Sequence, residues 1–231
     1  MSRRPAALAV TERVGYAQAW EWQRRLADAR REGRIPDVIW LLEHDPVYTY
    51  GRHGSRSDLF LDDGALAALG ATCLRTDRGG QMTWHGPGQS VGYAIVDLRP
   101  GGAVRRFVDA LVGAMGDAAR EAGVNGAAAG RTATGLYVSG RKLGSVGIRV
   151  SGGVTMHGLA LNRDPDPAWF ARMTACGAPG VPATSIRAEG GDPNRRRVDA
   201  ALAAALAERL GARLEPVALD DLLTAAARRA A

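Results

Sequence analysis

The side chains best suited to chemistry in this 231-residue sequence are concentrated in residues 77–93, which read DRGGQMTWHGPGQSVGY. This stretch combines polar groups of four kinds with closely spaced glycines: Arg78, Thr83, His85 and Gln89. Glycines allow a backbone to turn tightly and to approach a ligand closely. The composition favours a substrate-binding loop, and a glycine-rich hairpin between two core strands is the alternative.

Cys176 is the candidate nucleophile. It lies among small residues, glycines and prolines in MTACGAPG, whereas a structural cysteine usually behaves as a small hydrophobe inside an apolar element. A thiol has an ordinary pKa of about 8.5 and reacts as the thiolate, so it needs a neighbouring cation or base. The candidates for that neighbour are Lys142, His85, His157 and His44. The other cysteine, Cys73, lies in the run ATCLRT and is predicted to be a core residue.

Lys142 begins the glycine-rich run KLGSVGIRV. A strand that carries Gly144 and Gly147 has one face bare enough for a ligand to lie on. A lysine at the edge of such a face can lose its water shell and act as a base, whereas most hairpin lysines are simply solvated. Alternatively, His157 is a structural histidine of a strand, with its hydrogen bonds satisfied inside the protein. His44 precedes Asp45-Pro46 and is interpreted as part of a turn.

The elements that must position these groups follow from hydrophobic periodicity. Helices are predicted over residues 16–31, 104–121, 198–210 and 219–229, and strands over residues 8–13, 38–42, 47–50, 71–76, 91–98, 135–138, 142–150 and 154–161. Clustered strands with helices between and after them indicate an α+β fold with a mixed or mostly antiparallel sheet flanked by helices. The chain is predicted to form a single domain over residues 1–231, with residues 193–231 as a possible small C-terminal helical annex.

Composition restricts the partners. The apolar share of 46% supports a real core, and the net charge of +6 favours an acidic partner. The basic residues are scattered, so no nucleic-acid partner is expected. No apolar run approaches a membrane span, and no signal peptide is recognised, so we expect a cytoplasmic protein without a membrane partner. The absence of CxxC and HxxxH spacings argues against a structural metal, and two distant cysteines argue against a disulfide.

Residues 78–93, RGGQMTWHGPGQSVGY, resemble the signature of octanoyltransferases, also called lipoyl(octanoyl) transferases or lipoate-protein ligase B. Four further segments resemble the family in the same order: LLEHDPVYT at 41–49, GRKLGSVGIRV at 140–150, HGLALN at 157–162 and ACG at 175–177. The resemblance extends over about residues 8–185. Ala175 is a departure, because many relatives have proline there.

The resemblance implies the α+β catalytic domain of biotin and lipoate protein ligases. It implies transfer of an octanoyl group, without a cofactor, from acyl carrier protein to a lysine on lipoyl domains of 2-oxo acid dehydrogenase complexes and on the glycine cleavage H protein. In that scheme Cys176 carries the acyl group as a thioester, and Lys142 lowers the pKa of its thiol. The implied substrate contacts are Arg78, Gly79, Gly80, Gln81, Met82, Thr83, Trp84, His85, Ser145, Val146, Gly147, Gly158, Leu159 and Ala160.

Three other functions remain open at this point. The first is an ATP-dependent lipoate or biotin protein ligase of the same fold, although the sequence has no GxxxxGK[ST] phosphate loop. The second is a cysteine hydrolase, in which water would release the acyl group. The third is a basic nucleic-acid-binding module, which would show strongly salt-dependent affinity.

Overall fold

A computed structural model describes residues 3–99, 103–130, 134–174 and 181–228. Cys176, the candidate nucleophile, lies outside these ranges together with Ala175 and Gly177. The strands are β1 (Arg4–Val14), β2 (Asp37–His44), β3 (Val47–Tyr50), β4 (Thr72–Arg75), β5 (Met82–His85), β6 (Gln89–Ile95), β7 (Ala128–Ala129), β8 (Gly135–Val138), β9 (Arg141–Ser151), β10 (Val154–Asn162) and β11 (Ala212–Pro216). The helices are α1 (Tyr16–Arg31), α2 (Asp63–Ala68), α3 (Val104–Glu121), α4 (Ala168–Ala171), α5 (Arg195–Arg209) and α6 (Leu219–Ala227), and a 3₁₀ turn spans Arg56–Asp58.

These strands form two sheets of mixed direction. The larger sheet has the order β11-β1-β2-β6-β10-β9-β8-β7, and the smaller one the order β4-β3-β5. In the larger sheet the pairs β11–β1 and β1–β2 are parallel, and the other pairs are antiparallel. In the smaller sheet β3 pairs in parallel with β4 and antiparallel with β5. The predicted α+β class with a mixed sheet is confirmed.

Helices cover both faces of the larger sheet. Successive side chains of a strand point to opposite faces, so Ile39 and Leu41 of β2 join the core under α3 and α5. Trp40 and Leu42 of the same strand join the core under α1 and α6. All eight residues of β2 are buried, which is why its residues 38–42 form a continuous apolar run and do not alternate with polar residues. The larger sheet, packed against helices on both faces, is therefore a rigid support for the side chains that its strands carry.

A third core lies against the smaller sheet. It contains Tyr48, Met82 and Trp84 from the strands, with Trp169 and Phe170 packed against it. The strand β5 was not expected, because its four residues follow a run of glycines and were assigned to a loop. This short strand carries four of the sixteen signature residues 78–93, and its two faces have different environments.

The C-terminal residues from α5 onward contribute to the larger sheet as well as covering it. The helix α5 packs on α3, and α6 packs on α1. The strand β11 pairs with β1 from Arg4↔Ala212 to Leu8↔Pro216, a pairing that was not expected from the sequence. Among the helices that the structure describes, none is long and apolar enough to cross a membrane.

Candidate active site

A cavity of about 570 Å³ lies between the signature stretch and the strands β9 and β10. Its volume is within the usual range for small-molecule sites. The lining residues are Tyr16, His53, Arg78, Gly79, Gly80, Gln81, Thr83, His85, Val91, Tyr93, Val108, Thr134, Lys142, Ser145, Val146, Gly147, Ile148, His157, Gly158, Leu159 and Ala160. Both polar groups and aliphatic side chains line it, so it can hold an apolar chain that carries a polar head.

The cavity brings together Lys142 and most of the residues that the resemblance implied as substrate contacts. The two exceptions are Met82 and Trp84, which are fully buried in the third core. Alternation along β5 explains this, because Thr83 and His85 face the cavity while their neighbours face the other way. Trp84 instead stacks on Trp169, with ring centroids 5.4 Å apart.

Residues 78–81, which we call the cradle loop, are held from behind by Arg78 itself. The Arg78 guanidinium donates to Thr49 O at 2.7 Å, to Gln81 O at 2.8 Å and to Gly79 O at 3.0 Å. A Cβ on Gly51 would lie 2.6 Å from the carbonyl oxygen of Gly80, so only glycine fits behind the loop. Arg78 therefore lines the cavity and at the same time gives the cradle loop its shape.

The opposite wall is formed where two glycines face each other across β9 and β10. Gly147 and Gly158 are paired in the sheet. A Cβ on Gly147 would lie 3.2 Å from Gly79 O, and a Cβ on Gly158 would lie 2.1 Å from Gly92 O. The Gly79 N–H donates to Ile148 O at 2.8 Å. The bare strand face predicted from the sequence thus receives the cradle loop at close range.

Lys142 is a buried basic residue whose side chain lines the cavity. Its residue is 8% exposed, and its Nζ lies 5.6 Å from the Tyr137 ring centroid. Within the described parts of the chain its ammonium group has no carboxylate partner. Its backbone N–H donates to Pro182 O at 2.8 Å, and Thr174 N–H donates to Asp58 O at 2.7 Å. The chain is thus anchored on both sides of residues 175–180, with the later anchor on Lys142 itself.

Lys142 is also the sole lysine of the sequence, and the other 29 of its 30 basic residues are arginines. Arginine stays charged in proteins, whereas a lysine can release its proton when buried. Of the residues that the structure describes, two Lys or Arg side chains line this cavity: Arg78, whose guanidinium is bound by three backbone carbonyls, and Lys142, the single lysine of the chain. This count is a signal in the sequence that supports a role for Lys142 in proton transfer.

A chain of buried side chains fixes the tautomer of His85. Thr184 O can only accept, so Asn162 Nδ2 donates to it at 2.9 Å and Asn162 Oδ1 accepts from Gln89 Nε2 at 2.8 Å. Gln89 Oε1 is then an acceptor, and His85 Nδ1 donates to it at 2.7 Å. The proton of neutral His85 is therefore on Nδ1, and Nε2 is left as an acceptor.

Burial keeps the side chains of His85, His44 and Tyr16 uncharged near neutral pH. It lowers the pKa of His85 to about 3 and that of His44 to about 4, and it raises the pKa of Tyr16 to about 12. His44 Nδ1 donates to Val14 O at 2.6 Å, and its Nε2 accepts from the Tyr93 hydroxyl at 2.6 Å. His44 is thus a buried member of β2 that supports the cavity, and not the turn residue expected from the sequence.

Acid is expected to destabilise the protein through His44 and His85. In the unfolded chain both should have the ordinary pKa of about 6.5, so the unfolded state binds more protons as the pH falls below that value. Their full contribution to stability is therefore present above about pH 7 and is lost toward pH 4, by about 2 kcal/mol for each histidine at pH 5. Urea unfolding at pH 7.5, 6 and 5 measures the loss. His44→Gln should reduce the pH dependence by about one proton, and parallel curves for the variant and the wild type would contradict the assignment.

Several lining residues were not identified from the sequence: Tyr16, His53, Val91, Tyr93, Val108, Thr134 and Ile148. Periodicity placed Tyr16 on the buried face of α1 but could not show that this face borders a cavity. His157 was left open between a base and a satisfied strand histidine. In the structure its Nε2 lies 2.8 Å from Asp77 Oδ1. Within the described residues, no cluster of three His, Cys, Asp or Glu side chains is placed to hold a metal ion.

Comparison with known proteins places this site in a family. The model of the lipoyl protein ligase A/B catalytic domain matches residues 15–207. The octanoyltransferase of Rubrobacter xylanophilus is 41% identical over 194 residues, which is 82% of this chain and 87% of the relative. The mitochondrial octanoyltransferase LIP2 of Arabidopsis thaliana is 38% identical over 177 residues, which is 76% of this chain and 75% of the relative.

A solved structure agrees on the fold. It is a chain from an archaeal lipoylation system, a bipartite lipoate protein ligase and its E2 lipoyl domain from Thermoplasma acidophilum. It superposes with a TM-score of 0.70 over 96% of this chain and 91% of the other, at 14% identity. The chain belongs to the lipoyl protein ligase A/B catalytic-domain family and, within it, to the octanoyltransferases, the acyltransferases of lipoate biosynthesis.

Proposed function

We propose that this octanoyltransferase takes its acyl group from octanoyl-acyl carrier protein and passes it, through a thioester on Cys176, to a specific lysine of a lipoyl domain. The observation that carries the proposal is the position of Lys142. This sole lysine lies on the same cavity as the cradle loop and has no carboxylate partner within the described residues. A buried amine free of a counter-ion is suited to accept and return protons at a reacting thiol.

The cavity supports an acyl chain as the bound group. Its aliphatic lining comes from three strands and one helix: Val91, Val108, Val146, Ile148, Leu159 and Ala160. Burial contributes about 0.8 kcal/mol per methylene, so an octanoyl tail can gain roughly 5 kcal/mol. The polar head of the substrate would then lie among Lys142, Thr83 and His85. In this scheme Nε2 of His85 accepts a hydrogen bond from a donor group of the bound substrate.

The proposed reaction consists of two acyl transfers, first to Cys176 and then to the lipoyl lysine. Lys142 takes the proton of the Cys176 thiol, and the thiolate attacks the donor carbonyl, so a new C–S bond forms as the carrier's C–S bond breaks. The departing carrier thiolate takes the proton from Lys142. Lys142 then takes a proton from the incoming lipoyl lysine as its nitrogen forms the amide, and Cys176 leaves as a thiolate and recovers that proton. Covalent catalysis lets the carrier depart before the lipoyl domain arrives.

The partners follow from this chemistry. The net charge of +6 favours association with acidic proteins through electrostatic steering, and both acyl carrier proteins and lipoyl domains are typically acidic. The Thermoplasma acidophilum ligase is described with its E2 lipoyl domain, which supports lipoyl domains of 2-oxo acid dehydrogenase complexes and the glycine cleavage H protein as acceptors. We propose action in the cytoplasm, although the Arabidopsis thaliana relative is mitochondrial.

A transfer assay without nucleotide tests the proposal. Purified enzyme, octanoyl-acyl carrier protein and a lipoyl domain should yield a lipoyl domain heavier by one octanoyl group, because one thioester supplies the energy of the amide. Addition of ATP should leave the rate unchanged. A strict need for ATP with free octanoate would favour the ligase alternative. Release of octanoate in the absence of acceptor, at the rate of transfer, would favour a hydrolase.

A further inference from the structure

Asp77 connects the two walls of the cavity. It directly precedes the cradle loop, and its Oδ1 accepts from His157 Nε2 of β10 at 2.8 Å. Its Oδ2 forms an ion pair with Arg149 of β9. Burial opposes the charge, yet the hydrogen bonds from His157 and Arg149 hold the pKa of the Asp77 carboxyl well below its ordinary value. The loop is therefore tied to β9 and β10 by a charged side chain.

The backbone of His157, whose ring contacts this carboxylate, has an unusual conformation. It has a φ of 61°, in the left-handed region that residues with a Cβ rarely adopt. The His157 N–H donates to Gln23 Oε1 of α1 at 2.7 Å, and the residue is only 2% exposed. A conformation of this kind persists only where the surroundings impose it, and such residues are concentrated at functional sites.

The attachment of the cradle loop on its other side does not depend on Asp77. The N–H groups of Gly51, Arg52 and His53 donate to the carbonyl oxygens of Gln81, Arg78 and Gly80 at 3.1–3.2 Å. Loss of the Asp77 contacts would therefore leave the loop attached to the smaller sheet, and its hold on β9 would be reduced to the hydrogen bond from Gly79 N–H to Ile148 O. The distance between Gly79 and Gly147, and with it the width of the slot, would no longer be fixed.

We propose that Asp77 and His157 are positioning residues that hold the cradle loop against β9 and so set the width of the acyl slot. The proposal rests on the proposed function, since the slot is taken to hold the acyl chain. Neither residue touches the reacting atoms in this account. Their effect is on how well the octanoyl chain fits and on which longer chains are excluded.

The test is Asp77→Asn, which keeps the shape of the side chain and removes its charge. We expect the KM for octanoyl-acyl carrier protein to rise about tenfold with a smaller change in kcat. The preference for octanoyl over dodecanoyl donors should fall several-fold, because a wider slot excludes the longer chain less well. The amide of Gly79, which donates to Ile148 O, should exchange its hydrogen faster in the variant.

Asp117→Asn is the matched control. Like Asp77, Asp117 contacts two basic side chains, here Arg120 at 3.0 Å and Arg209 at 2.5 Å, and its side chain is 29% exposed against 22% for Asp77. It joins α3 to α5 and does not line the cavity, so its loss should leave KM, chain-length preference and Gly79 exchange unchanged. Equal behaviour of the two variants would overturn the proposal.

His157→Asn provides the second variant. Asparagine tolerates a positive φ but is too short to reach Asp77, so it keeps the backbone and breaks the contact. It should reproduce the Asp77→Asn profile, and the double variant should add little. If Asp77→Asn does not fold, His157→Asn decides alone, and a wild-type profile for it overturns the proposal. Absence of octanoyl transfer in the wild type would refute the proposed function, while Gly79 exchange would still test whether Asp77 holds the loop.

Discussion

Replacing Cys176 with alanine is expected to lower kcat/KM for octanoyl transfer by at least about 10⁴-fold, the scale of loss when a covalent nucleophile is removed. The cavity of the variant would still bind the acyl chain, but no side chain would hold it covalently after the carrier protein leaves. Intact mass after incubation with octanoyl-acyl carrier protein should show one octanoyl adduct on the wild type and none on Cys176→Ala. The wild-type adduct should be released by hydroxylamine, which cleaves thioesters.

Cys73→Ala is the control for this experiment. Cys73 packs against the third core, and burial raises the pKa of its thiol, so little of it is thiolate at neutral pH. The variant should load octanoate and transfer it like the wild type. An adduct that persists on Cys176→Ala, or one that disappears from Cys73→Ala, would refute Cys176 as the nucleophile.

Hydrophobic periodicity in the sequence predicted the elements whose own residues carry a clear repeat. The helices α1 and α3 were predicted with the bounds that the structure has, because their apolar residues repeat at helical spacing over four turns or more. The strand β5 was missed because four residues after a glycine run carry little periodicity. The strand β11 was missed because its partner, β1, is separated from it by about two hundred residues. Pairing at that distance is a property of the folded chain.

In the site, too, some features could be predicted from the local sequence and others depend on the folded chain. The cradle loop and Lys142 were identified from residue types and from the signature, and the structure brings them to one cavity. What could not be predicted is which face of a short strand each residue occupies. Met82 and Trp84 share the signature with Thr83 and His85, yet the pleat sends them into a separate core. The relay from His85 to Asn162 joins residues far apart in sequence, so no local pattern contains it.

A physical reason connects the glycines of the signature to the acidic residue before them. Glycines let the cradle loop approach β9 closely, but a loop without an apolar side chain buries little apolar surface and has no hydrophobic anchor of its own. Its position must then come from directional contacts. Arg78 supplies them on the side of the smaller sheet and Asp77 on the side of the larger one. The two adjacent charged residues thus hold opposite walls of one slot.

Lys142 variants should separate its charge from its ability to exchange protons. Lys142→Met removes both and is expected to lower kcat by about 10²–10⁴-fold, the usual contribution of a positioned acid–base group. It should also slow alkylation of Cys176 by iodoacetamide at pH 7, measured in the Cys73→Ala background so that one thiol reports. Lys142→Arg keeps the cation but cannot release a proton. It should alkylate at nearly the wild-type rate and still fail to transfer octanoate.

This contrast tests the base role, because a lysine that only stabilised the thiolate would be replaceable by arginine. Wild-type transfer by Lys142→Arg would therefore contradict proton exchange by Lys142, and fast alkylation of Lys142→Met would contradict any effect of Lys142 on the Cys176 thiol.

Since Lys142 is the sole lysine, an amine-selective reagent has only this side chain and the N-terminus to modify. Octanoyl loading of Cys176 should slow the modification of Lys142 and leave that of the N-terminus unchanged, because the acyl chain fills the cavity that Lys142 lines.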